Sequence, residues 1–353
     1  MITASTIKKP YKHERGIHCI TTAMSNLLSH YGISLSEELC LGIGSGLGFT
    51  YTRGRKLEQF LVFGRNDDLE LNLCEILGIH PRLSQHPNSQ MALERIIKKT
   101  EMNELVIVDL DISKLPYLAN TLKWPETSSH GGHKAVFGGY DSLTDEVLLY
   151  EYLWIEPMRL KRANFFHAWN TYNGLAPACN LWYEFEYPTS IVPIDQAIKD
   201  GIEMNVFRLL SPWNKFHGMD GLRAFLKEAP DWKYLLREED RMKLAYASYI
   251  SLEIGGTGKG AFRTMYSRFL KIAAIELENY DLFKLSKEYL SLSRLWSEFA
   301  LLLEEGSQDY DRGIFSGSLS NEKLAQNIYK KEHEAILQLQ AISIDMKREN
   351  IRL

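Results

Sequence analysis

Tyr11-Lys-His-Glu-Arg-Gly-Ile-His-Cys-Ile-Thr-Thr-Ala-Met-Ser-Asn-Leu-Leu-Ser-His-Tyr31 sets a His-Cys pair directly before an amphipathic pattern. After Cys19 the apolar positions are Ile20, Ala23, Met24, Leu27, Leu28 and Tyr31, spaced at the period of an α-helix. Gly32 closes the pattern with a common C-terminal signal. The spacing predicts a helix over 18–31 with Cys19 in its first turn. Free N–H groups and the helix dipole there favour a thiolate over a thiol. Cys19 is therefore a candidate nucleophile. A small buried core residue is the other reading of such a cysteine.

Around this stretch the composition is that of an ordinary globular protein: 353 residues, 45% hydrophobic and 24% charged. The length fits two domains or one large one. A net charge of -4 gives no electrostatic basis for binding nucleic acid or an anionic membrane. The first ten residues lack the apolar core of a secretory signal. No run approaches the ~20 apolar residues that span a bilayer. Cys19, Cys40, Cys74 and Cys179 are scattered, with no CxxC pair, so neither a disulfide framework nor a zinc site is expected. No His, Cys and carboxylate cluster has metal-ligand spacing, and no metal is expected. A cytoplasmic protein with reduced thiols is the expectation.

Outward from the first helix, Ser34-Leu-Ser-Glu37 matches a capping box and predicts a short helix through Leu41. Gly42-Ile-Gly-Ser-Gly-Leu-Gly48-Phe-Thr-Tyr51 reads as a glycine-rich loop near the first helix, either lining a site or making a tight turn. It lacks a preceding strand and the G-x-G-x-x-G spacing of dinucleotide binding. Strands are expected at 59–64, 80–84 and 104–110, and helices at 67–77 and 89–99. A turn at Leu115-Pro-Tyr117 leads to an exposed loop over 119–132. Strands follow at 133–141 and 147–154, a helix at 159–170 and a strand at 181–187. From 194 onward only helical periodicities appear, at 194–210, 219–228, 238–253, 258–279, 281–305 and 321–345. The expected organisation is an α+β catalytic domain over 1–190 and a helical domain over 191–353.

A cysteine nucleophile needs a base, and the base needs a group to orient it. His133 follows the flexible Gly131-Gly132 and opens a buried strand, so its ring can reach a cleft from a fixed backbone. In a hairpin, the start of one strand faces the end of the next. Glu151, at the end of the returning strand, is then a neighbour that can fix the His133 tautomer. Asp141 is the competing carboxylate, ~25 Å away along an extended strand. A cysteine at a helix start, then a histidine before a hairpin, then an acid on its return strand is the papain-like order.

Gly16-Ile-His18-Cys19, Leu27-Leu28-Ser-His-Tyr31-Gly32, Ser36-Glu37 and Leu41 through Phe49 resemble the N-terminal domain of the butirosin-biosynthesis protein H (BtrH) family. Val108-Asp109 through Tyr117, and His133 through Asp141, fit the same pattern. Gly255 through Leu270 resembles a motif of the helical domain that often follows in such proteins. The resemblance implies a papain-like cysteine-peptidase-type fold, with the Cys-bearing helix packed on an antiparallel sheet and an all-helical C-terminal domain. It implies an acyltransferase that takes an aminoacyl group from an acyl carrier protein thioester to an amine of a small-molecule acceptor. Cys19 would be nucleophile, His133 base and Glu151 the third member, where related folds more often carry Asp followed by Pro.

The resemblance also implies that His13, six residues before Cys19, stands where papain-like enzymes carry the oxyanion-hole Gln, beside the Cys19 N–H. His18, Ser45, Gly46 and Tyr117 are further candidate substrate contacts. Gly255–Gly260 departs from a phosphate loop, with Gly260 where Ser or Thr should follow Lys259. Lys259 and Arg263 are candidates to hold the phosphate of a carrier's phosphopantetheine. That group, part of the donor, is the only cofactor expected. A homodimer through the Tyr- and Trp-rich C-terminal helices is a further expectation. The rival readings are an amide hydrolase or peptidase with the same triad, and a non-catalytic binding protein of this fold.

Overall fold

The computed structural model describes residues 5–6, 11–54, 60–123, 131–174 and 176–351. In chain order the elements are β1 (Ser5–Thr6), α1 (Cys19–His30), α2 (Glu37–Ile43), β2 (Leu47–Thr52), β3 (Leu61–Arg65), α3 (Leu69–Leu77), β4 (His80–Gln85), α4 (Ser89–Glu101), β5 (Ile107–Leu110) and α5 (Pro116–Leu122). Then come β6 (His133–Asp141), β7 (Glu146–Tyr150), β8 (Met158–Lys161), α6 (Arg162–Trp169) and β9 (Leu181–Glu186). After β9 the regular elements are helical: α7 (Ile194–Leu210), α8 (Gly218–Glu228), α9 (Trp232–Leu235), α10 (Glu238–Tyr249), α11 (Arg263–Glu276), α12 (Tyr280–Gln308) and α13 (Leu319–Ile351). The architecture is α+β with a helical C-terminal region, as expected. No helix among the described residues is long and apolar enough to cross a membrane.

The chain forms two compact units, each built from two separate segments: 1–40 with 78–191, and 41–77 with 192–353. Residues 41–77, expected in an N-terminal domain of 1–190, pack with the C-terminal helices instead. The physical reason is their apolar content. Leu41, Ile43, Leu47 and Phe49 are fully buried, and the Phe49 ring stacks on Trp296 at 5.2 Å and meets Phe225 at 5.3 Å.

The first unit is built on a seven-stranded antiparallel sheet in the order β4-β9-β5-β6-β7-β8, with β1 also paired to β6. Helix α1 packs on β6. A core of Leu93, Ile96, Val108, Leu110, Ala135, Phe137, Leu149, Phe165 and Trp169 joins α4 and α6 to the sheet, each side chain fully buried. Three local expectations change. Residues 159–170, expected as one helix, are β8 followed by α6, because Leu160 is buried between exposed Arg159 and Lys161 in strand alternation. The loop expected over 119–132 begins within α5, and residues 124–130 lie outside the described residues, as does Gln59, the expected start of a strand. The expected glycine loop at 42–51 is the end of α2, a turn at Ser45 (φ 51°) and strand β2.

The second unit has an aromatic core of Phe49, Tyr51, Phe225, Trp232, Trp296 and Phe299. Arg263, fully buried at the start of α11, donates from Nε to Glu332 Oε1 (2.6 Å). Its Nη1 donates to the carbonyls of Gly48 (3.0 Å), Gly64 (2.6 Å) and Ala261 (2.7 Å). Trp296 Nε1 donates to the same Glu332 oxygen at 2.7 Å. One guanidinium thereby ties β2 and β3 to α11, α12 and α13. The chain enters α11 through a left-handed turn, with φ between 52° and 75° from Gly258 through Phe262. Three of those residues, Lys259, Ala261 and Phe262, carry side chains, at roughly 1–2 kcal/mol each for the left-handed form. The buried fork of Arg263 offsets that strain.

Candidate active site

Cys19 is the first residue of α1, and His18 before it is extended (φ -123°, ψ 133°), so the sulfur lies beside the unpaired N–H groups of a helix start. The thiol is half-buried and packs against the sheet core. His133, the first residue of β6, is 4% exposed and pairs with Leu110 of β5. Its Nε2 lies 2.8 Å from Glu151 Oε2, leaving Nδ1 for the thiol, with which the ring is hydrogen-bonded. Glu151 is fully buried, and its other oxygen accepts from Tyr117 Oη at 2.9 Å.

The sheet register explains why Glu151 meets His133. From Asp141↔Glu146 to Gly139↔Leu148, β6 and β7 advance together. Between Gly139 and Phe137 one extra residue, Gly138, bulges from β6, and Phe137↔Leu149 and Val136↔Tyr150 follow. One step beyond β7, Glu151 therefore faces Ala135 and shares a face with His133. Had the register run on past Gly139 without that offset, Glu151 would face Val136, and His133 would lie on the opposite face of the sheet.

Electrostatics separate Cys19 from the other thiols. Burial opposes its ionisation, yet the His18 charge and hydrogen bonds from His133 and His18 outweigh burial and hold it well below the ordinary thiol range. Burial pushes Cys74 and Cys179 the other way. For His133, burial disfavours the charged ring, but the Glu151 carboxylate and the thiol outweigh it and raise its pKa to about 10. Both shifts favour the thiolate–imidazolium form of the pair.

The segment before Cys19 is strapped to the chain around Glu151 and to α1. His13 Nε2–H donates to the Glu151 carbonyl (2.9 Å), and its Nδ1 accepts from Tyr11 Oη (3.2 Å). Burial keeps this ring neutral by lowering its pKa. Glu14 exchanges two hydrogen bonds with the Asn26 side chain of α1, N–H to Oδ1 (2.8 Å) and Nδ2 to the carbonyl (2.9 Å). Gly16 N–H donates to the Tyr152 carbonyl at 2.6 Å.

Of the candidate residues, the structure brings together Cys19, His133, Glu151, His18, His13 and Tyr117, with several roles altered. His13 has no N–H left for an oxyanion, since its one proton is committed to the Glu151 backbone. Tyr117 is engaged by Glu151 instead of standing open to a substrate. Asp141 lies at the other end of β6 beside Arg159 (3.4 Å). Ser45 and Gly46 belong to the second unit and serve its turn: the Ser45 carbonyl accepts from Asn66 Nδ2 (2.8 Å), and Gly46 N–H donates to the Leu41 carbonyl (2.7 Å). Arg263 is sealed in the core against Glu332, which removes it as a carrier-phosphate contact. Lys259 is exposed, but the Gly260 N–H beside it is already taken by Glu253 Oε2 (2.9 Å), an internal carboxylate where an anion was expected. Asn26 went unnoticed in the sequence; a buried amide on an apolar helix face was its signal.

A half-buried cysteine at a helix start, an imidazole at the opening of a sheet strand and a carboxylate behind it make this an α+β protein of Cys-His-carboxylate type. Residues 18–151 match the family model described as Butirosin biosynthesis protein H, N-terminal, and residues 164–339 match Domain of unknown function (DUF4872). The chain therefore has the N-terminal domain of the butirosin biosynthesis protein H family, named for the making of an antibiotic, followed by that second domain. No curated protein matches the chain at a significant level.

Proposed function

We propose that this protein is a cysteine-dependent acyltransferase that moves an acyl or aminoacyl group from a carrier-protein thioester to an amine. The observation that carries the reading is the buried line of Cys19, His133 and Glu151, with Nε2 of His133 2.8 Å from the carboxylate. The Cys19 thiolate attacks the thioester carbonyl, and the carrier thiol leaves with the proton held by His133. The attacking amine then gives a proton to His133, and Cys19 departs as thiolate. Each step trades one acyl bond for another and leaves the proton count unchanged. Thioester exchange is nearly isoenergetic, so a thiol nucleophile suits this donor. Glu151 holds the His133 ring in place through both steps, and Tyr117 holds Glu151. The family's name in antibiotic biosynthesis is in keeping with an acyl group attached to a small amine.

Intact-mass spectrometry after exposure to acyl-carrier or acyl-pantetheine thioesters tests the reading. An acyl adduct on the wild type, absent from Cys19→Ser, is the expected result. Adding candidate amines should then give amide. Free acid as the sole product would make the protein a hydrolase, and no adduct with any thioester would overturn the proposal.

A further inference from the structure

Glu37, the first residue of α2, lies in the same compact unit as Cys19. Its carboxylate accepts four hydrogen bonds. Oε2 takes Ile17 N–H (2.8 Å), and Oε1 takes His18 N–H (3.2 Å), Thr21 Oγ1 (2.8 Å) and Thr22 Oγ1 (2.6 Å). These are the two residues before Cys19 and two in the helical turn after it. Gly16 completes the fit, because a Cβ there would lie 2.4 Å from Glu37 Oε2 and 2.3 Å from Thr22 Oγ1.

We propose that Glu37 is a positioning residue for the nucleophile, a carboxylate that fixes the strap and the first turn of α1 so that Cys19 and His18 face His133. The four hydrogen bonds run to two backbone N–H groups and two threonine hydroxyls. An acceptor-only group suits the task, since all four partners are donors. A glutamine can keep the three bonds to Oε1, but its NH₂ would then face Ile17 N–H, donor against donor. An alanine would release all four.

The inference gains its meaning from Cys19 as nucleophile, but its test reads the thiol and not acyl transfer. Glu37 acts on Cys19 in two opposed ways. Its negative charge alone disfavours a nearby thiolate, so removing only charge would lower the pH midpoint of Cys19 alkylation. Releasing the strap moves the sulfur away from its imidazoles and raises that midpoint. The experiment is iodoacetamide alkylation of Cys19 across pH in wild type, Glu37→Gln and Glu37→Ala, followed by peptide mass, with circular dichroism to show that each variant is folded. Positioning predicts a midpoint raised by about one pH unit in Glu37→Ala, hence about tenfold slower alkylation on the acid side of both midpoints, and a smaller rise in Glu37→Gln. Should the alanine variant fail to fold, the direction in the glutamine variant decides. An unchanged or lowered midpoint in a folded variant would overturn the proposal. A wild type that alkylates rapidly at Cys19 but takes no acyl group would sink the acyltransferase reading and leave this inference standing.

Discussion

Two imidazoles bear on one sulfur, and they carry different loads. His133 is buried and backed by Glu151, so it keeps its proton through neutral pH. His18 adds a second imidazole hydrogen bond from the residue next to Cys19 in the chain. The pH dependence has a definite sign. Cys19, with its pKa lowered, stays a thiolate well into the acid side of an ordinary thiol and loses reactivity only as pH falls through that depressed value. His133, with its pKa raised, stays charged until pH rises through about 10. Alkylation of Cys19 is expected to show a flat rate across neutral pH and a second inflection near 10. In His133→Ala the inflection should vanish and the acid midpoint should move toward the free-thiol value of about 8.5. A wild-type profile with a single midpoint at that ordinary value would contradict the ion pair. Side-chain identity in the sequence is enough to nominate Cys19, His133 and Glu151. It does not say which ring nitrogen meets which partner. That is why His13 reads as an oxyanion donor until its one proton is seen on the Glu151 carbonyl.

Among the elements, the β6–β7 hairpin decides the site. Spacing alone makes His133 and Glu151 neighbours along the strands, and this much is legible from the two apolar runs and the turn between them. The face each side chain takes is not legible, because a one-residue bulge leaves no periodic trace and still inverts every residue beyond it. Deleting Gly138 straightens the ladder but leaves Ala135 opposite Glu151, so the Cys19 alkylation midpoint is expected to stay near that of the wild type. Gly138→Ala is the control. Its Cβ meets the Tyr150 ring edge at 2.8 Å and Leu148 Cβ at 3.4 Å, and it keeps the count of residues. A folded deletion protein whose midpoint rises as far as that of His133→Ala would show that the register does not fix the place of Glu151. Helix α2 teaches a related lesson. Ser34-Leu-Ser-Glu37 obeys a local capping rule, yet α2 starts at Glu37, and Ser36 Oγ accepts from Leu39 N–H at 3.3 Å. The carboxylate is claimed by donors 15 to 20 residues upstream, which no local rule can register.

For the whole molecule, the division into units cuts across the order of the chain. The helical periodicities after 194 are readable because period is local information. The place of 41–77 is not, since its partners come more than a hundred residues later. The family models divide the chain elsewhere again: the second begins at residue 164, yet α6 and β9 are part of the first compact unit. A fragment of residues 1–190 is therefore expected to be insoluble, carrying Leu41, Ile43, Leu47, Phe49 and Leu73 without the helices that cover them. A fragment with 41–77 replaced by a short glycine-serine linker should fold better, as read by yield of monomer on size exclusion. Equal solubility of the two fragments would show that 41–77 does not depend on the C-terminal helices.

The same interleaving sets a schedule during synthesis. Residues 41–77 leave the ribosome early and must wait for the helices of 192–351. At ~5–20 residues per second that wait is on the order of ten seconds or more. During it, β5, β6 and β7 can emerge and pair around Cys19 while an apolar hairpin hangs from the end of α2 with nothing to cover it. The nascent chain thus passes through a stage at which the surroundings of Cys19 can be assembled and its most aggregation-prone segment is bare, so the moment of greatest need for a chaperone falls late in translation.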